Sequence, residues 1–154
     1  MAHRFRFSLQ PLLEQRERVE NQRQQALAQR QLALDAARRE VDRLDGEFRA
    51  SALSLRTSHA ALDGDELRLH YAHLQFLDRA IVVQIRVVAE RQVALDRALE
   101  ELLAASKDRK VVDKLKQRRR QNFVDEEMRV EQRELDDGNA RQYGRSLRQG
   151  GGVS

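Results

Sequence analysis

Residues 62–67 read LDGDEL, and the fold turns on this stretch. Asp63 and Glu66 have the spacing of a capping box, in which each side chain satisfies the other's backbone N–H at a helix start. Gly64 between them supplies local backbone freedom. One helix therefore ends here and another begins. Apolar residues recur every seven positions on both sides. Upstream they are Leu34, Val41, Phe48, Leu55 and Leu62, with Ala37, Leu44, Ser51 and Ser58 as companions. Downstream they are Leu67, Leu74, Ile81, Val88, Leu95 and Leu102, with Tyr71, Ile85, Gln92, Leu99 and Ser106 as companions. Such a repeat keeps one seam facing a partner helix over many turns. Two long helices joined by a short turn pack antiparallel. The sequence thus predicts an all-α fold, an antiparallel coiled-coil hairpin.

The pattern weakens away from the turn. Gly46 lies between good heptad positions and reads as a soft point inside the first helix. Nearer the start, Leu13 and Leu27 fit the register, but Glu20 falls on it and Arg16, Arg23 and Arg30 hold companion positions. The chain opens HRFRFSLQP from His3, alternating Arg4 and Arg6 with Phe5 and Phe7. Ser8 is a candidate N-cap, and Pro11 falls in a first turn where its missing N–H is no loss. The helix is expected to begin there, after an exposed amphipathic docking tip. Beyond Ser106, a basic stretch over 107–120 precedes an acidic one over 124–137, with Val112, Leu115, Phe123 and Val130 keeping some helical spacing. Gly138, Gly144 and the final GGGVS predict fraying. The expected organisation is a docking tip at 1–10, a helical hairpin at 11–137 with its turn near 62–66, and a flexible tail at 138–154. At 1.5 Å per residue the arms would span roughly 80 and 110 Å, leaving a C-terminal overhang.

Composition agrees. The 154 residues are 35% charged, with seven glycines, one proline, no tryptophan and no cysteine. A chain rich in Ala, Leu, Glu, Gln, Arg and Lys with helical periodicity signals long helices rather than a thick core. The absence of cysteine excludes disulfides and thiolate chemistry. The net charge of +4 permits acidic partners of several kinds and selects none. No apolar signal segment opens the chain. The most apolar run, Ala80–Ala89, is about half a membrane span and is interrupted by Gln84 and Arg86.

Catalysis requires groups held in a water-restricted pocket, which a two-helix hairpin lacks. No glycine-rich phosphate loop and no nucleophile elbow occurs, so no enzyme, cofactor or small-molecule substrate is expected. His59, His70 and His73 cluster near the turn; the plain reading is exposed imidazoles, because a metal site wants three or four ligands and supporting groups. DGDE over 63–66 lacks the ligand series of a calcium loop. The basic stretch has no interleaved aromatic and an acidic block follows it, which disfavours nucleic acid. Phe48 and Tyr71 occupy heptad positions, while Phe76 lies off the seam and is a candidate exposed anchor.

Two terminal motifs resemble those of the FliJ family, the small coiled-coil component of the bacterial flagellar type III export apparatus. Phe5, Phe7, Leu9, Gln10, Leu12, Leu13 and Arg16 fit its F-x-F-x-L-Q-x-L-L-x-x-R start. Lys114, Leu115, Lys116, Arg118 and Arg119, then Glu131, Gln132, Glu134, Leu135 and Asp136, fit its C-terminal pattern. Arg133 stands where lysine is common, and Gly138 where a helix former is expected. The resemblance runs from Phe5 to about Tyr143. It implies a non-enzymatic stalk whose paired termini enter a ring-forming export ATPase and whose other portion contacts the cytoplasmic domain of the membrane export gate. Export chaperones are further implied partners, and the implied location is the cytoplasmic face of the inner membrane. On this reading Phe5, Phe7, Leu9, Gln10, Arg16, Lys116, Arg118, Arg119 and Phe123 face the ring, and Phe48, Tyr71 and Phe76 face the gate. The alternatives are an injectisome stalk of the same architecture, and a nucleic-acid-binding or scaffolding coiled coil.

Overall fold

The computed structural model describes residues 3–151. Helix α1 spans Gln10–Ser58, a single 3-10 turn covers His59–Ala61, and α2 spans Gly64–Gly150. The helices pack against each other, and no strand occurs among the described residues.

The start and the turn follow from local chemistry. The Gln10 N–H donates to the Phe7 carbonyl at 3.1 Å and the Leu13 N–H to the Leu9 carbonyl at 3.0 Å, so α1 begins one residue before Pro11. Ser8 is not the cap, because its hydroxyl accepts from Arg119 instead. At the turn α1 ends at Ser58, earlier than the heptad suggests. Leu62 is extended, with φ −94° and ψ 141°. The capping box forms: the Glu66 N–H donates to Asp63 Oδ1 at 2.8 Å and the Asp63 N–H to Glu66 Oε2 at 3.1 Å. The turn uses no left-handed residue, so the conformational freedom of Gly64 is not needed.

The expected helix end at 137 is corrected: α2 runs through Gly138 and Gly144 to Gly150. Each glycine costs about 1 kcal/mol relative to alanine. Neither glycine adopts the left-handed conformation that would end the helix there. Residues 152–154 of the expected tail, and residues 1–2 of the expected tip, lie outside the described residues.

Two compact units make up the chain, Glu17–Lys107 in one and Met1–Arg16 with Asp108–Ser154 in the other. In the first, α1 and α2 run antiparallel. Arg23 pairs with Glu101 at 3.0 Å, Arg38 donates to Gln92 at 3.3 Å, and His73 approaches Glu47 at 3.8 Å. Leu34, Ala37, Leu44 and Leu55 of α1 are buried, as are Leu77, Ala98 and Ala105 of α2. Val41, Leu62, Leu67, Leu74, Ile81, Val88, Leu95 and Leu102 are half-buried along the same seam.

Three expected seam residues are not in it. Tyr71 is 51%, Ile85 53% and Leu99 44% exposed. At five of the six heptad positions the companion on α2 lies three residues on, not four: His70, Leu77, Gln84, Ala98 and Ala105, with Gln84 Nε2 donating to the Ala37 carbonyl across the seam at 3.3 Å. After Val88 the residue three on, Arg91, is exposed and the half-buried companion is Gln92, four residues on. The α1 rows 34/37 and 41/44 use the same three-residue step. Hydrophobicity alone favours the wrong row, because Ile85 and Leu99 are more apolar than Gln84 and Ala98.

In the second unit the opening segment lies on α2. Phe7, Leu13 and Val112 form a small core, and Phe5, Leu9, Leu12 and Leu115 pack around it. Phe7 is only 8% exposed. The expected exposed tip is therefore corrected: its phenylalanines hold the segment to α2. In so polar a chain, this contact removes the rings from water.

Candidate functional site

The period-2 alternation of the opening segment explains its two sides. Extended backbone sends successive side chains to opposite faces. Phe5, Phe7 and Leu9 go inward, while Arg4, Arg6 and Ser8 remain exposed. The Phe5 and Phe123 rings meet at 5.6 Å with a 53° tilt, within the centroid range of favourable aromatic pairs. The Arg119 guanidinium lies 5.7 Å from the Phe7 ring centroid and donates to Ser8 Oγ at 2.9 Å. Arg119 thus clamps the segment from above. Arg16 is held 3.6 Å from Asp108, and its Nε is buried without a hydrogen-bond partner. Both arginines serve the unit's own packing.

The outer side is cationic. Arg4, Phe5, Arg6, Phe7, Gln10, Lys116 and Arg120 line an open groove of about 720 Å³. Arg118 is exposed on the same stretch of α2. Among the described residues, Arg4, Arg6, Lys116, Arg118 and Arg120 have no carboxylate partner. Uncompensated cations around an apolar floor suit an acidic protein segment and give an interaction that weakens with salt. The structure therefore brings together Phe5, Phe7, Leu9, Gln10, Lys116, Arg119 and Phe123. Sequence reasoning missed Arg120; its signal was the four-residue step from Lys116, which places both on one helix face.

The expected gate-facing residues do not converge. Phe48 is half-buried along the α1 seam, and Tyr71 and Phe76 are exposed. Five residues apart, these two point about 140° away from each other around α2. Phe76, at 63%, is the most exposed of the three. With Glu40, Arg43, Leu44, Arg79, Ala80, Val83 and Gln84 it lines a groove of about 700 Å³. Leu69, Phe76 and Val83 repeat every seven residues as an exposed apolar row. The groove's rim is fixed: Arg43 bonds Glu40 at 2.7 Å and Glu47 at 3.0 Å. The hydrogen bond from Arg43 holds the Glu40 carboxyl below its ordinary range, and Glu40 in turn raises Arg43.

Near the turn, His70 is half-buried while His59 and His73 are exposed. Among the described residues no group of three or more His, Cys, Asp or Glu side chains is arranged to hold a metal. No helix among them is long and apolar enough to cross a membrane.

The family described as "Flagellar FliJ protein" matches residues 5–148. No curated protein matches the chain. Among solved structures, CT670 from Chlamydia trachomatis, described as a YscO homolog, is similar with a TM-score of 0.65. The two share 17% identity over 95% of this chain and 96% of that one, a likeness of fold.

Proposed function

Because the chain belongs to the FliJ family, we propose that it is a non-enzymatic stalk of the flagellar type III export apparatus. Its cationic groove docks into the ring of the export ATPase. Its Phe76 groove contacts the cytoplasmic domain of the membrane export gate and links the two, at the cytoplasmic face of the inner membrane. Export chaperones are a further class of partner. The observation that carries this reading is the packed opening segment: it presents Arg4 and Arg6 beside Lys116, Arg118 and Arg120 on a fixed backbone. Charged contacts of this kind steer association and tolerate movement better than a dry, keyed interface. The flagellar assignment is preferred to the injectisome because the matching family is a flagellar one.

The test is ATP hydrolysis by the export ATPase with and without this chain. Stimulation is expected with the native sequence and loss of it with Arg4→Glu/Arg6→Glu, which leaves the phenylalanine packing in place. Undiminished stimulation by that variant would remove the cationic groove from the mechanism. No stimulation by the native chain would remove the stalk reading itself.

A further inference from the structure

Every residue of α2 from Met128 to Gly150 is exposed. A helix of this length with no packed face is marginal in water, since most helical stability comes from tertiary burial. The segment is not uniformly polar: Met128, Leu135, Tyr143 and Leu147 are exposed along it. Its charge is segregated. Residues 124–137 contain seven carboxylates and two arginines, a net charge of −5, and residues 138–150 contain three arginines and no acid.

One row shows what this segregation permits. Glu127, Glu134, Arg141 and Arg148 follow each other at steps of seven and so occupy one face. Among the described residues none of the four has an ion-pair partner in its own chain. The row is acidic in its first half and basic in its second, so it complements its own reverse. We propose that residues 124–150 of α2 pair antiparallel with the same segment of a second copy. Glu127 then faces Arg148 of the second copy and Glu134 faces Arg141 of it. The two-fold axis repeats both, giving an isologous interface with four ion pairs. A parallel arrangement places like charge on like charge.

The neighbouring positions are compatible with the same register. Leu135 lies within two residues of level with Gly138 of the second copy, and at Gly138 an added Cβ would meet nothing within 4 Å. Met128 lies within two residues of level with Arg145 of the second copy, whose aliphatic stem it can reach. Glu127 and Glu134 also rim a groove of about 570 Å³ with His3, Phe123, Glu126, Val130 and Glu131. Its floor is apolar and its rim acidic, which matches the basic end of the opposing helix. The interface is driven by charge, with few apolar contacts, so the dimer is weak and sensitive to salt. This inference does not depend on the export reading.

Two measurements on the full chain test it. Sedimentation equilibrium at about 50 mM salt is expected to show a monomer–dimer equilibrium, with a dissociation constant at least tenfold higher at about 0.5 M. Arg141→Glu/Arg148→Glu and Glu127→Arg/Glu134→Arg are each expected to be monomeric. Their equimolar mixture is expected to dimerise again. The native chain has no cysteine, so oxidative cross-linking reports the register directly. Gly138→Cys lies beside the two-fold axis and is expected to cross-link. Ser146→Cys is expected not to, because its two copies lie about 25 Å apart along the axis. A monomer at every concentration, a dimer indifferent to charge reversal, or equal cross-linking at both positions would overturn the proposal. ATPase stimulation is read separately and is unaffected by any of these outcomes.

Discussion

Truncating Phe7 to alanine tests whether the opening segment is held by its own packing. Phe7 is one of three buried residues in its cluster and has Phe5, Leu9, Leu12 and Leu115 around it. Burying its ring contributes about 2–3 kcal/mol. The partly exposed Arg119 contact adds roughly 0.5–1 kcal/mol. The loss of about 3 kcal/mol falls on a local opening rather than on the whole chain. The readout is amide hydrogen exchange at Gln10 and Leu13, whose N–H groups bond the Phe7 and Leu9 carbonyls. With tenfold per 1.4 kcal/mol, exchange should accelerate by roughly 10²-fold. Amides around Leu34 should keep their native rates. Unchanged exchange at Gln10 and Leu13 in Phe7→Ala would refute the packing argument. Global loss of protection would refute its locality.

Four further substitutions probe the seam, the turn and the exposed apolar row. Leu77→Ala, at a position 1% exposed, should cost about 2–4 kcal/mol in denaturant unfolding. Ile85→Ala should stay within about 0.5 kcal/mol; equal costs would restore the four-residue companion row. Asp63→Ala removes one half of the capping box and should lower stability by about 1 kcal/mol in the same assay. Phe76→Ala should leave the thermal midpoint nearly unchanged while weakening binding to the export gate's cytoplasmic domain, and a large thermal shift would show that Phe76 serves the fold instead.

The sequence showed the hairpin plainly because heptads and capping boxes are local signals. Leu34, Leu44 and Leu55 are buried as their spacing predicts, and Asp63 and Glu66 cap as theirs does. Less legible was the choice between rows three and four residues apart. That choice depends on which flank of α2 faces α1, and Gln84 wins over Ile85 through tertiary placement against its own hydrophobicity. The direction of Phe5 and Phe7 was also hidden. Alternation shows that the two rings share a side, but not whether that side meets a partner or residues 112–123 of the same chain. The continuation of α2 past Gly138 defeated a rule that treats glycine as a stop: Gly138 does not take the left-handed conformation that would end a helix.

The folded-back opening segment changes the thermodynamics of any encounter it takes part in. Ordering a backbone costs about 1–2 kcal/mol per residue. A loose tip of residues 3–9 would therefore surrender roughly 10 kcal/mol of chain entropy on docking. Packing on Val112, Leu115 and Phe123 meets that cost when the protein folds. Arg4 and Arg6 then approach a partner already spaced by the backbone, and their association should be fast and weakly temperature-dependent. The residues that give the segment its shape and those that give it its charge are interleaved, so one short stretch of sequence sets both.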